Sequence, residues 1–297
     1  MDKRYIVAGP LVEVAIKLKR PAHQDKLLAA LDALAAKDSS FSYSCDPGSG
    51  QTIARGMSEE YLDASVEVLR RACNTDIEIG TSQVAYRECI VGDVQIEYTH
   101  AKQYLGGGEF ARVVLSFGPG AVGSDFIFEN MAGAAVRDDL VPGVLKGLDG
   151  ARKNGVVAGY PLIEFRAALI DGAYHEVDSS PRTFEIAARE AFKRLRNERV
   201  VRLLEPIMAV EISGLQQLRD AFIDNLKARR GVIQDEDFFV VRALVPLADM
   251  LGYRNAFPTL SQGYGQFTMR YSHREATSSG DDDPGRFRPA AAMRLRA

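Results

Sequence analysis

The chain has 297 residues, 46% of them hydrophobic and 26% charged, ordinary globular proportions with material for two or three domains. No apolar run approaches the roughly 20 residues of a membrane span, and Met1-Asp2-Lys3-Arg4 does not open a secretory signal, so a cytoplasmic protein with no membrane partner is expected. The formal net charge of −3 excludes nucleic-acid binding by bulk charge and confines any RNA contact to a local surface.

Leu11–Ile16 is apolar and β-branched, a strand. After Pro21 the spacing of Leu27, Leu28, Leu31, Leu34 and Ala35 predicts a helix. Phe41, Tyr43 and Cys45 alternate, the turn residues Asp46-Pro47-Gly48-Ser49-Gly50 follow, and Gln51–Arg55 reads as the returning strand of a hairpin. Leu62, Val66 and Leu69 line one face of a second helix, and Asp76–Ile79 closes the unit as a strand. The order βαββαβ is that of a split-βαβ, ferredoxin-like module.

The middle of the chain opens with strands at Val94–Tyr98 and Ala111–Phe117, separated by Gly106-Gly107-Gly108. It closes with a helix for which Ser180 is the N-cap and Pro181 the first residue, with Phe184, Ala187, Ala188, Ala191, Phe192 and Leu195 on its apolar face. Arg182, Arg189, Lys193, Arg194, Arg196, Arg199 and Arg202 make this the most basic stretch, interleaved with Glu185, Glu190 and Glu198, which suits an ion-paired solvated face.

The last third repeats the first pattern. Pro206–Ile212 reads as a strand, Leu215–Arg230 as a helix stopped at Gly231, Phe238–Val245 as a strand and Pro246–Met250 as a short helix. Phe267, Met269 and Tyr271 alternate in a closing strand. Beyond His273, serine, glycine, proline and blocks of like charge predict a disordered tail.

Several chemistries lack their residues. No lysine sits in a GxxxxGK[ST] setting, so GTP hydrolysis is not expected of this chain. Gly118, Gly120 and Gly123 match GxGxxG after a strand, but Pro119 and the strand-like Asp125–Phe128 point to a hairpin turn. His23, His100, His175 and His273 offer no zinc spacing. Tyr174-His175-Glu176 beside Asp178 and Ser179 holds acid-base residue types, yet sequence adjacency does not make a triad. Cys45, Cys73 and Cys89 form neither a disulfide framework nor a CxxC pair, and reduced thiols are expected.

Eight strings in register resemble bacterial elongation factor G, a translational GTPase, from its third to its fifth domain. They are Gly50-Gln51-Thr52-Ile53 with Gly56-Met57; Gln83–Glu88; His100–Val113; and Asp171–Ser180. The others are Leu204-Glu205-Pro206-Ile207-Met208, Arg229-Arg230-Gly231, Val245-Pro246-Leu247-Ala248 and Gln262-Gly263. The resemblance runs from Pro10 to His273 and implies an α+β chain of three small domains. Two ferredoxin-like modules, at 9–86 and 204–273, would flank a ribosomal-protein-like α/β domain at 87–203, with 274–297 as the tail.

The resemblance also implies function: a ribosome-binding part of a translocase, without its GTPase half and with no catalytic site of its own. GTP and Mg would belong to the intact family member, and this chain would hold no cofactor. The middle domain would reach the small-subunit decoding region, tRNA and rRNA. The outer two would touch the factor-binding region, and the protein would act as a monomer. Contact with RNA falls on two tip loops, with Lys102, Gln103, Gly106, Gly107 and Gly108 in the first and Tyr174, His175, Asp178, Ser179 and Ser180 in the second. Backbone at glycine approaches phosphate closely, and Tyr or His stacks or donates hydrogen bonds.

Tyr104, Leu105 and Glu109 depart from the usual KQTGGSGQFA of the first loop, and Glu109 near phosphate calls for a partner such as Lys102 or Arg112. Ser58, Glu60, Tyr61, Asp224 and Tyr264 also depart from the family pattern, as in a divergent paralogue. Two other readings compete: a GTPase-less ribosome-binding regulator, and a small-molecule kinase-like protein with Gly106–Gly108 as its phosphate loop.

Overall fold

The computed structural model describes residues 9–18, 24–45, 51–74, 77–124 and 126–277. The turn expected at 46–50 and the tail beyond 277 lie outside them. The described residues form two compact units: one joins the chain up to Tyr86 with Glu205–Glu275, and the other is built on Arg87–Leu204.

The first unit opens with β1 (Val12–Leu18), α1 (Gln24–Lys37), β2 (Ser42–Cys45), β3 (Thr52–Gly56), α2 (Glu59–Cys73) and β4 (Ile77–Ile79). The sheet order is β2-β3-β1-β4, with every pair antiparallel. β5 (Gln83–Val84) pairs with Val12 and Glu13 of β1. This is the ferredoxin-like order. β1 is buried at nearly every position, which is why its sequence is continuously apolar instead of alternating. Its one buried acid, Glu13, accepts from Arg55 Nε at 3.1 Å across the β1–β3 pair. Ser58 caps α2 by accepting the Tyr61 N–H at 3.2 Å. Leu62, Val66 and Leu69 are buried, each contributing roughly 2 kcal/mol by leaving water.

The second unit holds β6 (Arg87–Ile90), β7 (Val94–Tyr104), β8 (Gly107–Pro119), β9 (Phe126–Asn130), α3 (Val141–Arg152), β10 (Phe165–Ala173) and α4 (Pro181–Arg194). Its sheet order is β7-β8-β10-β9, with β10 antiparallel to β8 and parallel to β9. The parallel pair requires a crossover, and α3 supplies it. Because β10 lies between β8 and β9, the glycine-rich stretch after Pro119 is a loop between non-neighbouring strands and not the hairpin turn its sequence suggests. A strand follows it and no helix, so the GxGxxG spacing there is incidental. Phe117, Phe165 and Phe192 are buried, with ring centroids 6.0–6.1 Å apart in neighbouring pairs, in a core shared by the sheet and both helices.

Helix α3 has no strong sequence signal, since Pro142, Gly143, Gly147 and Gly150 read as loop. Packing explains the glycines. A Cβ on Gly143 would stand 2.0 Å from the Pro181 carbonyl oxygen, and one on Gly147 would stand 2.4 Å from that of Glu185. The contacts advance by four residues on both helices, so α3 and α4 run side by side in the same direction from a common start.

Glu88 clasps this unit together. It is fully buried, and its carboxylate accepts the N–H groups of Val156, Val157, Ala158, Gly159 and Tyr160 at 2.6–3.4 Å. Successive backbone amides around an anion form a nest, so the acid in the Gln83–Glu88 string is structural.

β11 (Val201–Gly214) pairs with β6 through Val201–Leu204 and returns the chain to the first unit. There α5 (Arg219–Ala228), β12 (Val232–Glu236), β13 (Val240–Pro246), α6 (Leu247–Met250), α7 (Tyr253–Leu260) and β14 (Gly265–Ala276) complete a second ferredoxin-like module of order β12-β13-β11-β14. Helix α7, with Pro258 inside it, and strand β12 add to the elements expected from sequence. Two of the quoted strings meet here, beside the end of a third. Arg230 forks onto buried Glu205 at 3.0 and 3.1 Å and reaches Asp249, the residue after Ala248, at 2.7 Å. Arg274–Ala276 belong to β14 and not to a tail, and Thr277 N–H donates to the Leu203 carbonyl at 2.9 Å. Backbone pairing orders this stretch where side-chain burial would not.

Candidate nucleic-acid interface

The β7–β8 pair is an unbroken antiparallel ladder from Val94↔Phe117 to Tyr104↔Gly107. Leu105 and Gly106 are the two residues of its turn. Gly106 has φ 95°, a conformation costly for any side chain. The second loop, from Tyr174 to Ser180, joins β10 to α4 beside it.

Ser179 ties the loops together. Its hydroxyl donates to the Phe110 carbonyl at 2.6 Å and accepts the His175 N–H at 2.8 Å. Phe110 N–H returns a bond to the Asp178 carbonyl at 2.9 Å. The Asp178 carboxylate packs on Gly108, with its Oδ2 at 3.1 Å from where a Cβ would stand. The three glycines therefore have separate reasons. Gly106 makes the turn, Gly108 admits the second loop, and Gly107 borders open space.

The ten expected contact residues divide. Lys102, Gln103, Gly106, Gly107 and His175 are exposed. Tyr174 is half-buried under the Arg137 guanidinium, 5.3 Å from its ring centre. Ser180 caps α4, its hydroxyl accepting the Thr183 N–H at 3.2 Å, and Ser179 is spent on the brace. Tyr174, Asp178, Ser179 and Ser180 thus position the loops, while the first group is free to meet a partner. His175 is held in place too, since its Nδ1 accepts from the Val177 and Asp178 N–H groups at 3.4 and 3.3 Å, while Asp178 Oδ2 lies 3.2 Å away.

The apex is apolar. Leu105 is fully exposed, Val177 is 83% exposed and Tyr104 is 55% exposed. The sequence shows their types, but exposure follows from the two-residue turn. The charges below them are compensated. Glu109 pairs with neither of the partners expected for it: Arg112 is engaged by Glu97 at 2.6 Å and Asp171 at 3.0 Å. Instead Glu109 Oε2 meets buried His100 Nε2 at 2.8 Å. That hydrogen bond, with the charges of His100, Lys102 and Arg182, holds the Glu109 carboxyl below the usual glutamate range against the effect of burial.

No cluster of acids, histidines and cysteines with metal-binding geometry occurs among the described residues, and none of their helices is long and apolar enough to cross a membrane. Cys45 is exposed, and Cys73 and Cys89 are buried free thiols. Gly106–Gly108 lie at a strand-to-strand turn. A phosphate loop of the kinase-like kind would open a helix.

Three family descriptions match successive stretches of the chain. The family described as Elongation Factor G, domain III matches residues 7–81, Elongation factor G, domain IV matches 82–198, and Elongation factor G C-terminus matches 202–280. A protein from Thermus thermophilus, known from its crystal structure, is similar over 92% of this chain with 32% sequence identity and a TM-score of 0.67. The chain spans 42% of that protein's length.

Proposed function

The chain belongs to the elongation factor G family, carrying its domains III and IV and its C-terminal domain, and from that premise we propose that it is the ribosome-contacting part of a translation factor. In the intact factor this part would serve GTP-dependent movement of tRNA and mRNA. The apex of the second unit meets RNA in the small-subunit decoding region, and the first unit meets the factor-binding region. GTP and Mg belong to parts of the longer factor that this chain does not span. The chain works in the cytoplasm as a monomer, with no membrane partner and no bond-making step of its own.

The observation that carries this reading is the brace Phe110–Ser179–His175. It fixes two exposed loops from distant parts of the sequence on a rigid sheet, which suits insertion between RNA surfaces. Uncompensated charge is scarce there, so Tyr104, Leu105 and His175 act by stacking and wedging against bases, with Lys102 supplying a phosphate contact. Co-sedimentation with bacterial ribosomes across a salt series tests the proposal. Binding weakened by Leu105→Gly, His175→Ala or Lys102→Ala supports it, and unchanged binding of all three removes the tip from the interface.

A further inference from the structure

Helices α3 and α4 approach so closely at Gly143 and Gly147 that their side chains splay outward on either side of the contact. On one side they leave an open groove of about 500 Å³ lined by Pro142, Lys146, Pro181, Arg182, Ile186 and Arg189, room for a nucleotide-sized group. Its cations come from both helices. Lys146 Nζ lies 2.9 Å from Glu185 Oε2, and Arg189 Nη2 lies 2.6 Å from Glu185 Oε1. One carboxylate is thus shared by two cations. With Arg182 exposed at the α4 start, the groove keeps an excess of positive charge in a chain whose net charge is −3. Lys146 is 75% exposed, so its ammonium can leave Glu185 for a stronger anion at little cost.

We infer that this groove is a second RNA-backbone contact, in which Lys146, Arg182 and Arg189 take phosphates of a strand running alongside the tip loops. Pro142, Pro181 and Ile186 give the groove an apolar floor against which a ribose packs. Arg182 joins the two surfaces, because it lies two residues after Ser180, the end of the second tip loop. Glu185 is the regulator of the groove: it holds Lys146 and Arg189 in place while offsetting part of their charge. The inference rests on the proposed function in taking RNA as the polyanion, but its test does not use the tip.

The test is fluorescence anisotropy of a labelled RNA hairpin titrated with the full chain across a salt series. Each phosphate neutralised contributes about 0.7–0.9 to the slope of log K against log salt. The double variant Lys146→Gln, Arg182→Gln should lower the slope by about 1.4–1.8, whereas Glu185→Gln should tighten binding and steepen it. The substituted cations are exposed, so a thermal melt should match that of the wild type. A slope unchanged by the double variant overturns the groove, as does competition by polyglutamate as effective as by unlabelled RNA, which would make it a site for acidic protein. Ribosome pelleting by Leu105→Gly judges the tip separately, so either surface can fail while the other stands.

Discussion

His100 Nε2 lies 2.8 Å from Glu109 Oε2, diagonally across the β7–β8 ladder and directly beneath the exposed turn. The contact gives a hydrogen-bond partner to the one acidic residue that the first tip loop would otherwise bring toward RNA. Because the folded state holds the Glu109 carboxyl below its ordinary range, its contribution is complete above the unfolded-state value. It is lost as the pH falls through the lower folded value. Amide exchange at Gly106–Gly108, corrected for the intrinsic pH dependence, should therefore quicken in acid below the usual glutamate range. In Glu109→Gln that acid-dependent step should be missing.

Ser179→Ala should weaken ribosome binding without removing any group that faces a partner. The hydroxyl serves the Phe110 carbonyl and the His175 N–H together, so its loss should cost about 1–2 kcal/mol. Urea denaturation gives that cost, and faster exchange at the amide of His175 shows that the loop has loosened. His175→Ala, by contrast, should reduce binding with a stability change within about 0.5 kcal/mol.

Glu88→Gln should be among the most destabilising single changes in the second unit. A neutral amide cannot accept from the whole run of N–H groups at Val156–Tyr160, so the nest loses part of its hydrogen bonding. The expected loss is about 3 kcal/mol in denaturant unfolding. Acetate or formate should restore part of the stability lost in Glu88→Ala by occupying the nest, an effect the wild type should not show.

Gly143→Ala places a methyl 2.0 Å from the Pro181 carbonyl oxygen. The helices must separate, costing about 1–3 kcal/mol, despite the better helix propensity of alanine. Gly150→Ala meets nothing within 4 Å and should stabilise by about 0.5–1 kcal/mol, so the two changes should move the melting temperature in opposite directions.

The contrast between those glycines also explains what the sequence conceals. Helix α4 is legible from Ser180, Pro181 and its apolar spacing, because local rules suffice for it. Helix α3 is not, because its glycines answer to a partner helix that comes much later in the chain. At the tip, residue types are readable, but the His100–Glu109 pair is not, because the register of the ladder sets Lys102, and not His100, opposite Glu109. The division of labour in the second loop is not readable, since Ser179 finds Phe110 across 69 residues. Lys102 and His175 are exposed, while Tyr174, Asp178, Ser179 and Ser180 are half-buried and make contacts that hold the loops. Strings shared with the family, such as Glu88 and Arg229-Arg230-Gly231, hold the fold and do not by themselves mark a binding surface.

The claim that the apex meets RNA is tested most directly by a cleavage reagent tethered there. With the exposed Cys45 changed to serine, Leu105→Cys carries iron-EDTA on ribosome-bound protein, and Asp224→Cys, on the exposed face of α5, serves as the control. Hydroxyl-radical cuts confined to small-subunit RNA of the decoding region are expected from position 105, and a different pattern from position 224. Bound protein that gives no cuts from position 105, or the same cuts from both positions, would contradict the claim.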